Sequence, residues 1–285
     1  MTRILGYAKQ HKIKAGVLLA LFLMLLAVFI GMLLPLGLTK VEVSSQKLPP
    51  EFDGFKILQI ADLQNSTDEG ILRHAQELQP DIIAFTGDNL YHKGSPQRLE
   101  WAIQLVKDLS EIAPVYGVSG NHDLWHPEFE KNQRLLEEAG MIHLENKSLL
   151  LERNGAQIQI SGITDPETFD QHKAAQRVQQ YLTEVEGSDG YDILLFHRAG
   201  MGKEFSGKGF ELILSGHNHG GQIQLPFVGG VRTPDDIWFD PYAQGVHQLD
   251  ENTTLVISRG IGNTVKIPRI FNPPELVLVT LSRTP

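Results

Sequence analysis

The 285-residue chain contains no cysteine. This excludes a disulfide framework and a thiolate metal site, so any metal must be held by His, Asp, Glu, Asn or Gln. Internal repeats and low-complexity tracts are also missing. With 41% apolar and 21% charged residues, the composition is that of a packed globular protein with room for one large α/β domain or two small ones. A basic excess is lacking too. The four basic residues Arg3, Lys9, Lys12 and Lys14 precede the first long apolar run, leaving 21 Lys and Arg against 34 Asp and Glu, a net charge of −13, in the remainder. An acidic body without a basic or aromatic strip argues against nucleic acid as a partner.

Charge is absent altogether from Ala15 to Leu38, a run of 24 residues. At about 1.5 Å per residue this is enough to cross a hydrocarbon core of about 30 Å. The positive-inside rule then predicts a cytoplasmic basic tail (1–14), a single transmembrane anchor (15–38) and an extracytoplasmic remainder at the cell membrane. A cleaved signal peptide is the rival reading. It calls for an apolar core of about 7–15 residues and an A-x-A-like site, whereas this run is longer and continues into TKVEVSSQKLPP. Residues 39–53, with Pro49-Pro50, read as a linker to one domain spanning 54–285.

In that domain strands alternate with helices. Apolar runs predict strands at Lys56–Ala61, Asp81–Thr86, Val115–Ser119, Ile158–Ile163, Asp192–Phe196, Glu211–Ser215, Thr254–Ser258 and near Glu275–Leu281. Apolar positions three and four apart predict helices at Asp68–Leu78, Gln97–Ser110, Pro127–Ala139 and Gln171–Glu184, with Gly140 where a C-terminal cap falls. Leu144–Ile163 reads as a hairpin turning at RNGA. The expected fold is one α/β domain with a mixed sheet or two stacked sheets.

Polar side chains gather where these strands end. The tips read IADLQ with Asp62 and Gln64, FTGDN with Asp88, VSGNHD with Asn121 and His122, LLFHR with His197, and LSGHNHGG with His217 and His219. Ligands of α/β sheets collect at the carboxyl ends of strands, so these groups point to one place. Carboxylate, amide oxygen and imidazole together suit divalent first-row metals, and a carboxylate shared by two ions relieves their repulsion. One strand-tip Asp alone is commonly a turn or cap residue. Five such turns in this order are not. His11, His74, His143, His172 and His247 lack ligand spacing, whereas His92 and His126 follow the second and third turns and are candidates for the pocket's rim.

The series D-x-[H/Q], GD, GNHD, strand-end His and GHNH resembles the pattern of the calcineurin-like metallophosphoesterases, over roughly Phe52 to Leu281. The tail GHNHGGQ, the later SRGIG and the closing FNPPELVLVTL are similar to its bacterial membrane-associated branch. The resemblance implies a four-layer α/β/β/α sandwich of two mixed sheets, here preceded by the transmembrane helix. It also implies a dinuclear site, with Asp62, Asp88 and His219 around a first metal and Asp88, Asn121, His197 and His217 around a second. His122 matches the catalytic histidine, with Asp123 to fix its tautomer. The implied reaction is hydrolysis of a phosphate ester, a diester in the sense of the family's phosphodiesterase-like members, by hydroxide held between two cations, with His122 donating to a phosphoryl or leaving oxygen. Arg198 is a candidate for a phosphate oxygen or a plain surface residue.

This chain departs from the pattern at Gln64, where the family has His. A carboxamide oxygen reaches as far as the distal imidazole nitrogen, so Gln64 is expected as a ligand, though a poorer one, shifting preference toward harder ions. Mn²⁺ is the first expectation, with Mg²⁺, Fe²⁺ or Zn²⁺ as alternatives. The competing function is a catalytically weak or inactive binder of phosphorylated envelope lipids or polymers. Substrate choice falls to loops such as Tyr91–Pro96, Asp165–Asp170 and Leu225–Asp240, which carry no readable code, and the aromatic stretch IWFDPYAQG reads as loop packing or a membrane-facing lip.

Overall fold

The computed structural model describes residues 17–19, 21–185 and 188–284. Two six-stranded mixed sheets lie face to face. The first combines β1 (Gly37–Ser45), β2 (Lys56–Ile60), β3 (Ile82–Thr86), β4 (Val115–Val118) and β5 (Met141–His143) with the last strand, β14 (Glu275–Arg283), in the order β1-β14-β2-β3-β4-β5. The second runs β12-β13-β9-β8-β7-β6. Its strands are β6 (Lys147–Arg153), β7 (Ala156–Ile163), β8 (Asp192–Arg198), β9 (Leu212–Gly216), β12 (Gly245–Gln248) and β13 (Thr254–Ile257). A small hairpin, β10 (Gln224–Leu225) with β11 (Gly229–Gly230), stands apart.

Strands of both sheets are apolar on both faces because both faces are covered. Ile57, Ala84 and Val118 point between the sheets and meet Ile160, Leu195 and Leu214. Their neighbours Leu58, Ile60, Ile83 and Phe85 point outward, under α2 (Gly70–Leu78), α3 (Pro96–Ser110) and α5 (Phe129–Glu138). In α3 the buried side chains Ala102, Leu105, Val106 and Leu109 follow helical spacing, giving one apolar stripe toward the sheet. On the far side, α6 (Gln171–Leu182) sets Ala174 and Val178 against Leu194, Phe196 and Ile213 of the second sheet. The layers are therefore helix, sheet, sheet, helix. Asn154 and Gly155 both take positive φ, 52° and 85°, and join β6 to β7 in the expected two-residue turn.

Two expectations change. The segment expected as a linker holds β1, which pairs in parallel with β14 over nine residues from Gly37↔Glu275 to Ser45↔Arg283. Alternating Val41 and Val43 carry that strand, and Val43 is buried in the core between the sheets. Of the expected span, Ala15, Gly16 and Ala20 lie outside the described residues, as does the tail; residues 21–32 are helical (α1), and Gly37 and Leu38 already belong to β1. Among the described residues no helix is long and apolar enough to cross a membrane.

If β1 is part of the folded sheet, Val43→Ala should lower the free energy of unfolding by about 1–2 kcal/mol, from the lost methyl groups and the cavity they leave. Urea unfolding measures this, and an unchanged midpoint is what a linker residue would give.

Candidate functional site

The strands β2, β3 and β4 of one sheet and β8 and β9 of the other bring their carboxyl ends to the same rim. Asp62, Asp88, Asn121, His197, His217 and His219 all lie there, buried, and Gln64 with them. Asp62, Asp88 and His197 offer ligand atoms that all lie within 4.8 Å of one another, and among the described residues no other group of three His, Asp or Glu does so. The turns that hold them are strained. Asp62, Gln64, Asp88, His217 and His219 have φ of 49°, 50°, 53°, 70° and 47°, a left-handed conformation costing of order 1–3 kcal/mol per non-glycine residue and found where surroundings over-determine it. Gly120 fits because a Cβ would fall 2.3 Å from Asp88 Oδ1, and at Gly216 one would fall 2.5 Å from Asp62 Oδ2.

Asp88 is the hub. Its Oδ1 accepts from the His122 backbone N–H at 2.7 Å and lies 3.4 Å from His197 Nε2. Its Oδ2 accepts from Gln64 Nε2 at 3.0 Å. Asp62 Oδ2 accepts from the backbone N–H of His217 at 3.0 Å, while Oδ1 faces His219 Nε2 at 3.6 Å. The imidazoles are steered from behind, as metal-ligating rings are. His197 Nδ1 meets the Thr86 carbonyl at 2.9 Å, and His217 Nε2 meets Asp235 Oδ1 at 3.1 Å.

Whether these residues suit a divalent cation can be judged from their unpaired atoms. Asp62 Oδ1, Gln64 Oε1 and Asn121 Oδ1 are buried acceptors with no hydrogen bond from the protein. A buried oxygen without a donor is costly unless a cation or water meets it. The electrostatics point the same way. Burial, reinforced by Asp88, pushes Asp62 up to about 6. Burial would also raise Asp88, but His197, His122 and His217 outweigh it and hold it well below the usual carboxylate range. Burial opposes charge on His197, yet Asp88 and Asp62 push it up to about 10. The carboxylate pair thus draws positive charge into the site, and a metal ion would supply it while displacing the proton.

Several expected roles are reassigned. Asp123 does not touch the His122 ring. Its buried carboxylate accepts from the backbone N–H groups of Asn89, Leu90 and Gly120, clamping two site turns together, and burial with the nearby Asp88 charge pushes it up to about 7. The ring partner of His122 is instead His92, Nδ1 to Nδ1 at 2.6 Å. One proton must lie between these nitrogens. With His92 as donor, His122 carries its own proton on Nε2, the nitrogen 3.9 Å from Asp88 Oδ2. Next to a carboxylate that is the favoured tautomer. Burial lowers His122 to about 4, so the ring is neutral at physiological pH. His126 pairs with the start of α5 rather than with the site.

Arg198 is neither a surface residue nor free for phosphate. It is buried, with Nε and Nη2 on Asp165 at 2.7 and 2.9 Å and its guanidinium 4.8 Å from the Phe169 ring centroid. Asp235 lies 3.7 Å from Arg198 Nη1, so Asp165, Arg198, Asp235 and His217 form one chain. Gln64 lies in the site, but as a donor: its Nε2 donates to Asp88 Oδ2 and lies 3.3 Å from His219 Nε2, and the bare Oε1 lies toward Gly262. A neutral amide beside a carboxylate turns its N–H₂ toward it. Sequence reading missed Asp235 and Arg269, whose Nη2 lies 3.0 Å from His219 Nδ1, and placed His92, close behind the GD turn, at the pocket's rim without its partner His122.

Residues 55–221 match the family model described as calcineurin-like phosphoesterase. The uncharacterised metallophosphoesterase YkuE of Bacillus subtilis (strain 168) is 29% identical over 255 residues, 86% of this chain and 85% of that protein. YkoQ of the same organism, likewise an uncharacterised metallophosphoesterase, is 30% identical over 208 residues, 72% of this chain and 74% of that one. A transmembrane protein with metallophosphoesterase domain from Bos taurus is 25% identical over 266 residues, 88% of this chain and 58% of that one. The chain belongs to the calcineurin-like metallophosphoesterases, hydrolases acting on phosphoric ester bonds.

Proposed function

We propose that the protein is a phosphodiesterase that works with two divalent ions, Mn²⁺ first among them, from the extracytoplasmic face of the cell membrane. The observation that carries the reading is the pair of bare, buried oxygens on Asp62 and Asn121 in the site where Asp62, Asp88 and His197 offer ligand atoms within 4.8 Å of one another. Asp88 would be shared, with Asp62, Gln64 and His219 on one side and Asn121, His197 and His217 on the other. Bound there, two cations lower the pKa of a water and neutralise phosphoryl oxygens. The chain's own residues do the rest. The mixed carboxylate, amide and imidazole donors favour Mn²⁺ over softer ions. His122 presents Nε2–H as donor to a non-bridging or leaving oxygen, and His92 fixes that tautomer. Asp123 holds the loop bearing both Asn121 and His122. Extracytoplasmic anchoring draws on the charge-free run after four basic residues and on relatives named as transmembrane proteins.

Three measurements test this. Purified protein with Mn²⁺ is expected to hydrolyse bis(p-nitrophenyl) phosphate, and His122→Ala to lower kcat by about 10² with metal content intact. His92→Ala is expected to cost about tenfold, and the double variant to be no slower than His122→Ala, since a residue acting through another shows no additional loss; additive losses would give His92 a separate role. Titration of the metal-free protein is expected to show Gln64→His binding one Mn²⁺ about tenfold more tightly, because imidazole is the stronger ligand, while Gln64→Ala loosens the same ion. Identical isotherms for all three forms remove Gln64 from the metal site. On intact cells, added protease should degrade everything after Leu38; protection until lysis overturns the outward orientation.

A further inference from the structure

Outside residues 17–34 the described residues expose fifteen large apolar side chains, and nine of them fall on two segments, Leu225, Phe227, Val228, Ile237, Trp238 and Phe239 on one and Val265, Ile267 and Phe271 on the other. The two segments are one surface. Ile223 bridges to Ile270, with Gln224 N donating to Ile270 O at 2.9 Å and Ile270 N to Gln222 O at 3.3 Å. The same surface adjoins α1: Phe271 N donates to Gly31 O at 3.2 Å, and a Cβ on Gly31 would fall 2.6 Å from the Phe271 ring. The exposed apolar helix α1 therefore meets this patch at its carboxyl end.

Three of the patch's aromatics sit where a bulky side chain is disfavoured. Phe227, Phe239 and Phe271 have φ of 67°, 52° and 52°, and Phe227, at the tip between β10 and β11, is fully exposed. In water, such a residue contributes neither burial nor relaxed backbone to stability. In a hydrocarbon medium the exposed rings have a partner. Trp238 carries Arg232 over its ring at 5.6 Å, and Lys266 stands exposed between Val265 and Ile267, the mix of ring and basic side chain that suits a headgroup layer. Between the two segments opens a cavity of about 260 Å³ lined by His219, Gln222, Pro234, Asn263, Val265 and Ile267. It leads from the patch to a residue of the candidate metal site.

We infer that this patch docks on the outer leaflet of a phospholipid bilayer, continuous with the N-terminal anchor, so that the cavity admits a phosphodiester whose lipid tail stays in the membrane. The inference rests on the anchored phosphodiesterase reading. Docking buries apolar side chains at the acyl boundary, and the anchor makes it a local event with high effective concentration. Hydrolysis consumes one water: its oxygen bonds to phosphorus, the P–O bond to the leaving alcohol breaks, and the leaving oxygen takes a proton.

Because the chain lacks cysteine, a single introduced thiol reports one position. The full chain carrying Phe227→Cys or Val265→Cys, labelled with a nitroxide and reconstituted in phosphatidylcholine and phosphatidylglycerol vesicles, is expected to collide with dissolved oxygen more than with a water-soluble nickel chelate. Leu150→Cys, on the exposed side of β6, should show the reverse. Phe227→Asp with Trp238→Asp should lower hydrolysis of p-nitrophenyl phosphatidate in these vesicles about tenfold, and leave bis(p-nitrophenyl) phosphate turnover in solution unchanged. Water-exposed labels at 227 and 265, with soluble turnover intact, overturn the docking alone. Dipolar broadening between labels at 227 outside the lipid assigns the patch to a second copy and overturns it too. Lack of turnover on both substrates defeats the phosphodiesterase reading, whereas the depth of the labels still decides the docking.

Discussion

Two carboxylates, Asp62 and Asp88, stand side by side at the ends of adjacent parallel strands, almost out of reach of water. Like charges in such a medium repel strongly, and each would be costly to bury alone. The surroundings answer with donors and positive charge. Backbone N–H groups of His122 and His217 each reach across from another turn to one of the pair, and His197, drawn to its charged form, lies 3.4 Å from Asp88. The left-handed turns, the glycines that admit the carboxylates and the convergence of two sheets all serve that one concentration of charge. Strain and repulsion at one rim are balanced by apolar packing elsewhere, in three core layers on and between the sheets.

A second tier keeps the site rigid. Asp123 ties the turn after β3 to the turn after β4 through three backbone N–H groups. The chain from Asp165 through Arg198 and Asp235 to His217 ties two surface loops to the second sheet. In both cases a charged group that looks catalytic on its own is consumed by positioning another. Arg198 is the clearer case, because its two hydrogen bonds to Asp165 occupy the fork geometry with which a guanidinium would grip phosphate.

Much of this was legible in the sequence. Strands buried on both faces read as unbroken apolar runs, so β2, β3, β4, β8 and β9 were expected within two residues of where they lie, and with them the polar tips. The strands that escaped notice are short or carry little apolar signal: β1, half exposed and flanked by Pro49-Pro50, the three-residue β5, the two-residue β10 and β11, and the mostly exposed β12. Side-chain partners were the harder part. Asp123 follows His122 directly, and adjacency suggested a pair; on α4 (Asn121–Leu124) successive side chains diverge by about 100°, so the carboxylate turns inward to the backbone and the ring turns to His92. Asp235 and Arg269 come from loops whose course no periodicity encodes.

The half of the site around Asp62 is the one in which donor chemistry and charge agree least. Arg269 is only 7% exposed, and its Nη1 has no partner; its Nη2 donates to Gly262 O at 2.7 Å and faces His219 Nδ1 at 3.0 Å. A guanidinium is always a donor, so it leaves the proton of neutral His219 on Nε2, toward Asp62 Oδ1. Burial and the Arg269 charge hold His219 well below its ordinary range. Gln64, turned as a donor to Asp88, adds a second N–H to the same corner. An ion there would have to turn one amide and move one proton, beside a fixed positive charge. On the other side, Asn121 leaves its oxygen bare and His197, with Nδ1 at a backbone carbonyl, has only to give up its Nε2 proton, so no amide need turn and no guanidinium stands against the ring. Two ions bound here would be held unequally, the weaker on the side of Gln64, where the sequence departs from the pattern of its family.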